Sequence, residues 1–209
     1  IKYTCAKCGS QNSPHDWLIP RMRNLAMVKC ESCGIQYYGD LPSGHGLTYP
    51  MYLFPESAEI HDERGVEWFA VWLRESYLNR TSNPPGFTVK ELRPVRKPIL
   101  LNCLDTLYAH CLYKLLNAQY YIDHCPDYDL IVMIQPFLNW MIPEGTAQVW
   151  IVDLPLRKGT EWNEWLASQI KNRISQYSKC MLSVALPCPN PGEVNIERFV
   201  KVHPFNINS

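Results

Sequence analysis

The sequence predicts an α/β fold preceded by a small cysteine module, and three observations carry that prediction. From residue 98 onward, strand-sized apolar runs alternate with helix-length amphipathic segments. That alternation gives a parallel sheet joined by right-handed crossovers. One run, Leu130-Ile131-Val132-Met133-Ile134, is apolar at every position, as expected of a strand covered on both faces. Near the start, two Cys-x-x-Cys-Gly units stand a finger's length apart. The expected architecture is a Rossmann-like parallel sheet with helices on both faces over residues 98–209. A connector with one helix (41–97) and a cysteine ribbon (1–40) precede it.

The two cysteine units are Cys5-Ala6-Lys7-Cys8-Gly9 and Cys30-Glu31-Ser32-Cys33-Gly34. Two such turns bring four thiolates to one tetrahedral ion, with zinc–sulfur distances of about 2.3 Å. The glycine after each second cysteine permits a positive φ, so that amide N–H groups can face the sulfurs. Cys5, Cys8, Cys30 and Cys33 are therefore the expected ligands of a structural Zn2+. The stretch resembles zinc ribbons, with 27–29 and 35–38 as the short strands bracketing the metal. Four thiolates close the coordination sphere, which argues against a hydrolytic zinc site. Cys103, Cys111, Cys125, Cys180 and Cys188 lie scattered, mostly in apolar runs. They read as buried thiols of a reducing compartment.

Hydrophobic residues make up 46% of the 209 and charged residues 19%, which supports a packed core. The formal net charge is zero, which excludes a broadly basic nucleic-acid coat. No apolar run approaches the roughly 20 residues of a membrane-spanning helix, and no signal-like leader is visible. A cytoplasmic protein is expected. The chain opens on Ile1 and closes on Ser209 without a finishing element, and it reads as a trimmed piece.

Between ribbon and sheet, residues 41–60 are rich in Pro, Gly and aromatics and read as a surface-hugging loop. His45, between Gly44 and Gly46, reads as a loop residue without a role. Residues 62–79 read as a helix docked through Val66, Phe69, Val71, Trp72 and Leu73. Residues 81–98 break all periodicity at Pro84-Pro85-Gly86, Pro94 and Pro98, and read as a boundary. Strands follow at 99–104, 130–134, 147–152 and 181–186. One helix starts from a cap at Asp105 and buries Tyr108, Cys111, Leu112, Leu115 and Leu116. A second runs over about 161–178.

Open parallel sheets bind ligands at the carboxyl ends of their strands. That rim collects Asn102, Asp105, Tyr108 and His110, then Gln135, Asn139 and Trp140, then Asp153, Arg157 and Lys158, and finally Asn190 and Glu193. Arg157 suits a phosphate or carboxylate, and His110 suits general base work. No GxGxxG, GxxxxGK[ST] or GxSxG motif is present. That argues against ordinary dinucleotide binding, phosphate-loop hydrolysis and a nucleophile elbow.

Several stretches carry a resemblance: Leu104-Asp105-Thr106-Leu107-Tyr108-Ala109-His110, the helix at 114–118, Val149-Trp150-Ile151-Val152-Asp153-Leu154-Pro155-Leu156, and residues 196–205. The segment 98–205 resembles the amino-terminal domain of bacterial glycosyltransferase-like proteins of the two-Rossmann (GT-B) type. The resemblance implies the acceptor-side half of a sugar transferase, with a sugar or glycan as partner. His110 or Asp105 would deprotonate an acceptor hydroxyl, with Asn102, Tyr108, Gln135, Asp153 and Arg157 lining the rim. The nucleotide-sugar would sit on a second domain outside this chain. The rival reading is a non-enzymatic zinc-ribbon protein that contacts another protein, or less readily nucleic acid.

Overall fold

The computed structural model describes residues 1–186, 190, 192, 194–203 and 206–208. The first part of the chain runs β1 (Tyr3–Thr4), β2 (Gln11–Asn12), β3 (Pro14–Leu18), β4 (Leu25–Lys29), β5 (Gln36–Asp40), α1 (His45–Thr48), β6 (Met51–Phe54), β7 (Glu59–Asp62) and α2 (Glu67–Leu78). It continues through β8 (Gly86–Glu91), β9 (Pro98–Asn102), α3 (Tyr108–His124), β10 (Asp129–Ile134), β11 (Gln148–Asp153), α4 (Glu164–Ile174), β12 (Met181–Leu182) and α5 (Ile196–Val200). Short 3-10 segments occupy Pro136–Met141 and Leu156–Lys158.

A five-stranded sheet has the order β12-β9-β10-β11-β8. Strands β12, β9, β10 and β11 run parallel, and β8 joins β11 antiparallel. Every residue of β9 is buried, because helices cover both faces. On one face Leu101, Val132 and Val149 pack with Cys111 and Leu115 of α3 and Phe199 of α5. On the other, Leu100, Ile131, Met133 and Trp150 pack with Leu166 and Ile170 of α4. The apolar period of two in the strands and of about 3.6 in α3 and α4 produces this layering directly. The segment expected at 181–186 pairs only over Met181–Leu182.

A second five-stranded sheet, β3-β4-β5-β6-β7, is antiparallel throughout. It runs straight through residue 40, so part of the stretch expected to be loop forms α1 and the β6–β7 hairpin. Pro50 and Pro55 flank β6 without entering it, a placement strands tolerate. Pro84 and Pro85 likewise precede β8, which the expectation of a structureless boundary missed.

Helix α2 buries Phe69 and Leu73 against Met51 and Leu53 of β6. The guanidinium of Arg23 lies 3.9 Å over the Phe69 ring. Val71 and Trp72 were grouped with that buried side, yet they are 46% and 38% exposed, and Trp68 beside them is 53% exposed. Helix α3 also begins later than expected. Leu107 is its N-cap, while Asp105 stands ahead of it, and Tyr108 is 48% exposed. Among the described residues no helix is long and apolar enough to cross a membrane.

Candidate functional site

Two clusters of chemistry-bearing side chains stand out, one at each end of the antiparallel sheet's reach. The first is the cysteine set. The Sγ atoms of Cys5 and Cys33 are 3.7 Å apart, and those of Cys8 and Cys30 are 3.5 Å apart. A tetrahedral ion with bonds of about 2.3 Å places its sulfurs about 3.8 Å from one another, so this spacing suits a shared ion. It is far beyond the roughly 2.05 Å of a disulfide. The two turns repeat each other's geometry. Cys5 N–H donates to Ser10 O and Gly9 N–H to Cys5 O. Cys30 N–H donates to Ile35 O and Gly34 N–H to Cys30 O in the same way. Gly9 and Gly34 have φ of +75° and +76°, the left-handed conformation their position requires. Cys33 N–H points at Cys30 Sγ (3.4 Å), and the Ser10 hydroxyl lies 3.1 Å from the same sulfur. Together these four cysteines could hold a metal ion.

The second cluster forms where the carboxyl end of β9 meets the loop before α1. Asp105 follows β9, and its side chain is 1% exposed. Its Oδ1 accepts the N–H groups of Thr106 (2.7 Å) and Leu107 (3.2 Å). Its Oδ2 meets Lys114 Nζ at 2.7 Å and His45 Nε2 at 2.9 Å. Lys114, one turn beyond His110 on α3, is itself 1% exposed and also donates to Leu104 O. His110 Nδ1 lies 3.4 Å from Asp105 Oδ1, but it is buried without a hydrogen-bond partner. The two imidazole rings are 4.9 Å apart, and Phe69 walls the other side of His45 at 5.3 Å.

Burial alone would raise the Asp105 carboxyl. The Lys114 ammonium and the His45 hydrogen bond outweigh it and hold the group well below the usual carboxylate range. Burial lowers the His45 imidazole against the pull of Asp105. The cluster therefore pairs one carboxylate with one ammonium and a His45 ring that burial favours neutral. His45, Asp105 and His110 have the spacing of metal ligands. However, Lys114 already sits on the carboxylate, and a dication beside that buried ammonium would be strongly repelled.

Local backbone explains how His45 arrives. Gly44 has φ +59°, and a Cβ on Gly46 would run into Asp40 Cβ at 2.8 Å. The two glycines that bracket His45 thus serve a turn and a close approach. The turn is held from the segment after β12: Gly44 N–H donates to Val184 O, and Ala185, with φ +49°, follows it. Gly159 packs onto the Asp105 backbone from the side of β11.

The other rim residues divide by burial. Asn102 is spent inside the protein, donating to Arg21 O and Asn24 Oδ1 and accepting from Leu104 N–H. Gln135 is fully buried, bonded to Cys111 Sγ and Leu154 O. Neither has an atom to offer a ligand, because both close the gap between sheet and neighbouring loops. Tyr108 is exposed and packs on Phe137 at 5.6 Å. Asp153 and Arg157 are exposed on the β11 side of the rim. Glu193 and Cys188 lie outside the described residues. The residues missed were His45 and Lys114. The Gly-His-Gly spelling was the available signal for the first. Lysine on the apolar side of α3 was the signal for the second.

No protein-family model, no curated protein and no solved structure matches this chain.

Proposed function

We propose that the carboxyl edge of the parallel sheet is an acid–base site acting on a hydroxyl acceptor, as on the acceptor side of a sugar transferase. One observation carries the reading: Asp105, buried at the end of β9, gathers two imidazoles and a lysine ammonium. A structure built only for stability has little need of two histidines on one buried carboxylate. The strand order β11-β10-β9-β12 supports a doubly wound, Rossmann-like sheet, whose ligand crevice lies at this edge. His110, 27% exposed, and the exposed Tyr108 are assigned to acceptor contact, with the exposed Asp153 and Arg157 following β11. The nucleotide-sugar is assigned to a domain outside this chain. The cysteine set is proposed to hold Zn2+, which thiolate ligands in tetrahedral array favour. Its role is to staple β1, β2 and the ends of β4 and β5, where little core exists.

The test is binding of the zinc-loaded protein to a printed array of oligosaccharides. Retention that Tyr108→Ala and His110→Ala abolish supports the reading, and no retention on any glycan overturns it. A second reading, a ribbon-bearing protein that docks onto another protein, is favoured by the exposed Trp68, Val71 and Trp72 stripe of α2.

A further inference from the structure

The two imidazoles on Asp105 are not equivalent, and the difference identifies the proton acceptor. We infer that His45 is the general base of the cluster, taking the proton on Nδ1 while Asp105 and Lys114 hold the ring. This rests on the acid–base reading of the site and names its base.

The tautomer follows from the partners. Asp105 is ionised and can only accept, so the 2.9 Å contact from His45 Nε2 requires that nitrogen to carry the hydrogen. In the neutral ring the lone pair is then on Nδ1. Among the described residues no hydrogen bond engages that atom. His110 lacks this definition, since its Nδ1 stands 3.4 Å from Asp105 Oδ1 outside hydrogen-bond geometry. A base works when its ring is oriented by a third group, and only His45 has one. Phe69 and the His110 ring fix its two sides at 5.3 and 4.9 Å. In the reaction the acceptor O–H bond breaks and its proton bonds to Nδ1. The oxygen's electron pair attacks the anomeric carbon of a glycosyl donor, whose leaving group departs with the bonding pair. The imidazolium that results lies against Asp105.

The site is also composite. His45 comes from α1, between strands of the antiparallel sheet, whereas Asp105 comes from the turn after β9 and His110 and Lys114 from α3. The base and its orienting anion meet only where the two sheets join.

The experiment is two-bond 1H–15N NMR of the histidine side chains in the full, zinc-loaded chain at pH 7, with His45→Gln assigning the signals. The expected spectrum shows His45 as one tautomer, protonated at Nε2 and bare at Nδ1. A protonated Nδ1, or a mixture of tautomers, overturns the assignment. The array result is separate. A single Nε2–H tautomer without glycan binding defeats only the acceptor reading, and a mixed tautomer with glycan binding defeats only His45. With the donor domain supplied, His45→Gln is expected to lower turnover of an acceptor found by the array about 10²–10⁴-fold and to remove the acid limb of the pH profile. Unchanged turnover would also overturn the assignment.

Discussion

Replacing Asp105 by asparagine keeps the side-chain volume and removes one buried charge. The Asn oxygen can still accept Thr106 and Leu107 N–H, so the change isolates what the anion does for Lys114 and His45. At the 2.7 Å separation of Lys114 and Asp105, an effective dielectric of about 20 gives an attraction of about 6 kcal/mol before desolvation. Desolvation of two ions offsets much of it, but removing one partner leaves an ammonium, 1% exposed, with no counter-charge. Breaking such a pair costs about 3–5 kcal/mol. For a chain of this size each kcal/mol moves Tm by about 2–4 °C, so a drop of roughly 6–20 °C is expected. Urea denaturation and calorimetry at pH 7, with metal saturated, measure it. Adding Lys114→Met to Asp105→Asn removes the stranded cation, and the double variant should recover part of the loss. If Asp105→Asn alone stays within about 0.5 kcal/mol of wild type, the range of ordinary surface changes, the buried-pair argument fails.

Metal analysis of protein purified without chelator should find about one zinc per chain, as four thiolates around one tetrahedral ion require. Cys30→Ser should lose it together with the ribbon's protection from hydrogen exchange. Stability should rise with pH up to about 6.5 and then level off. The unfolded His45 binds a proton at its ordinary value of 6.5, whereas the folded ring is lowered by burial. The unfolded state therefore holds more protons below that pH. Lys114 and His110 on α3 disfavour the charged ring and Asp105 favours it, and His45→Gln should flatten the slope in urea midpoints taken from pH 5 to 8. Phe69→Ala should cost about 3–5 kcal/mol because Phe69 is 1% exposed, whereas exposed Trp68→Ala should cost no more than about 0.5–1 kcal/mol. Gly159→Ala should destabilise measurably in the same assay, since a Cβ there falls on the Asp105 and Thr106 backbone.

Where sequence reasoning worked, the signal was local and periodic. The apolar run at 130–134 became β10, and the helical stripe of Cys111, Leu112 and Leu115 became the core-facing side of α3. Where it failed, neighbours decided. Val66, Phe69 and Leu73 share an apolar period with Trp72, so periodicity gave α2 one wide sticky face. The structure buries Phe69 and Leu73 against β6 with Val66, Ala70 and Tyr77 packed beside them, and leaves Val71 and Trp72 46% and 38% exposed. Residues 86–91 do alternate, with Phe87 and Val89 turned to the core and Thr88 and Lys90 exposed, but the prolines on either side masked so short a run, which pairs with β11 as β8. Asn102 and Gln135 occupy rim positions along the chain, but loops from the antiparallel sheet and from β11 cover them.

The sequence by itself determined the cysteine ribbon, the parallel strands and the helices that cover them. Cys-x-x-Cys-Gly turns and apolar periods act over a few residues, and those distances are visible along the chain. Only the tertiary structure decided the site. His45 and Asp105 are brought to 2.9 Å by the junction of two sheets, and no local pattern records that contact. Lys114 reads as an ordinary helix lysine until the carboxylate that neutralises it is placed beside it.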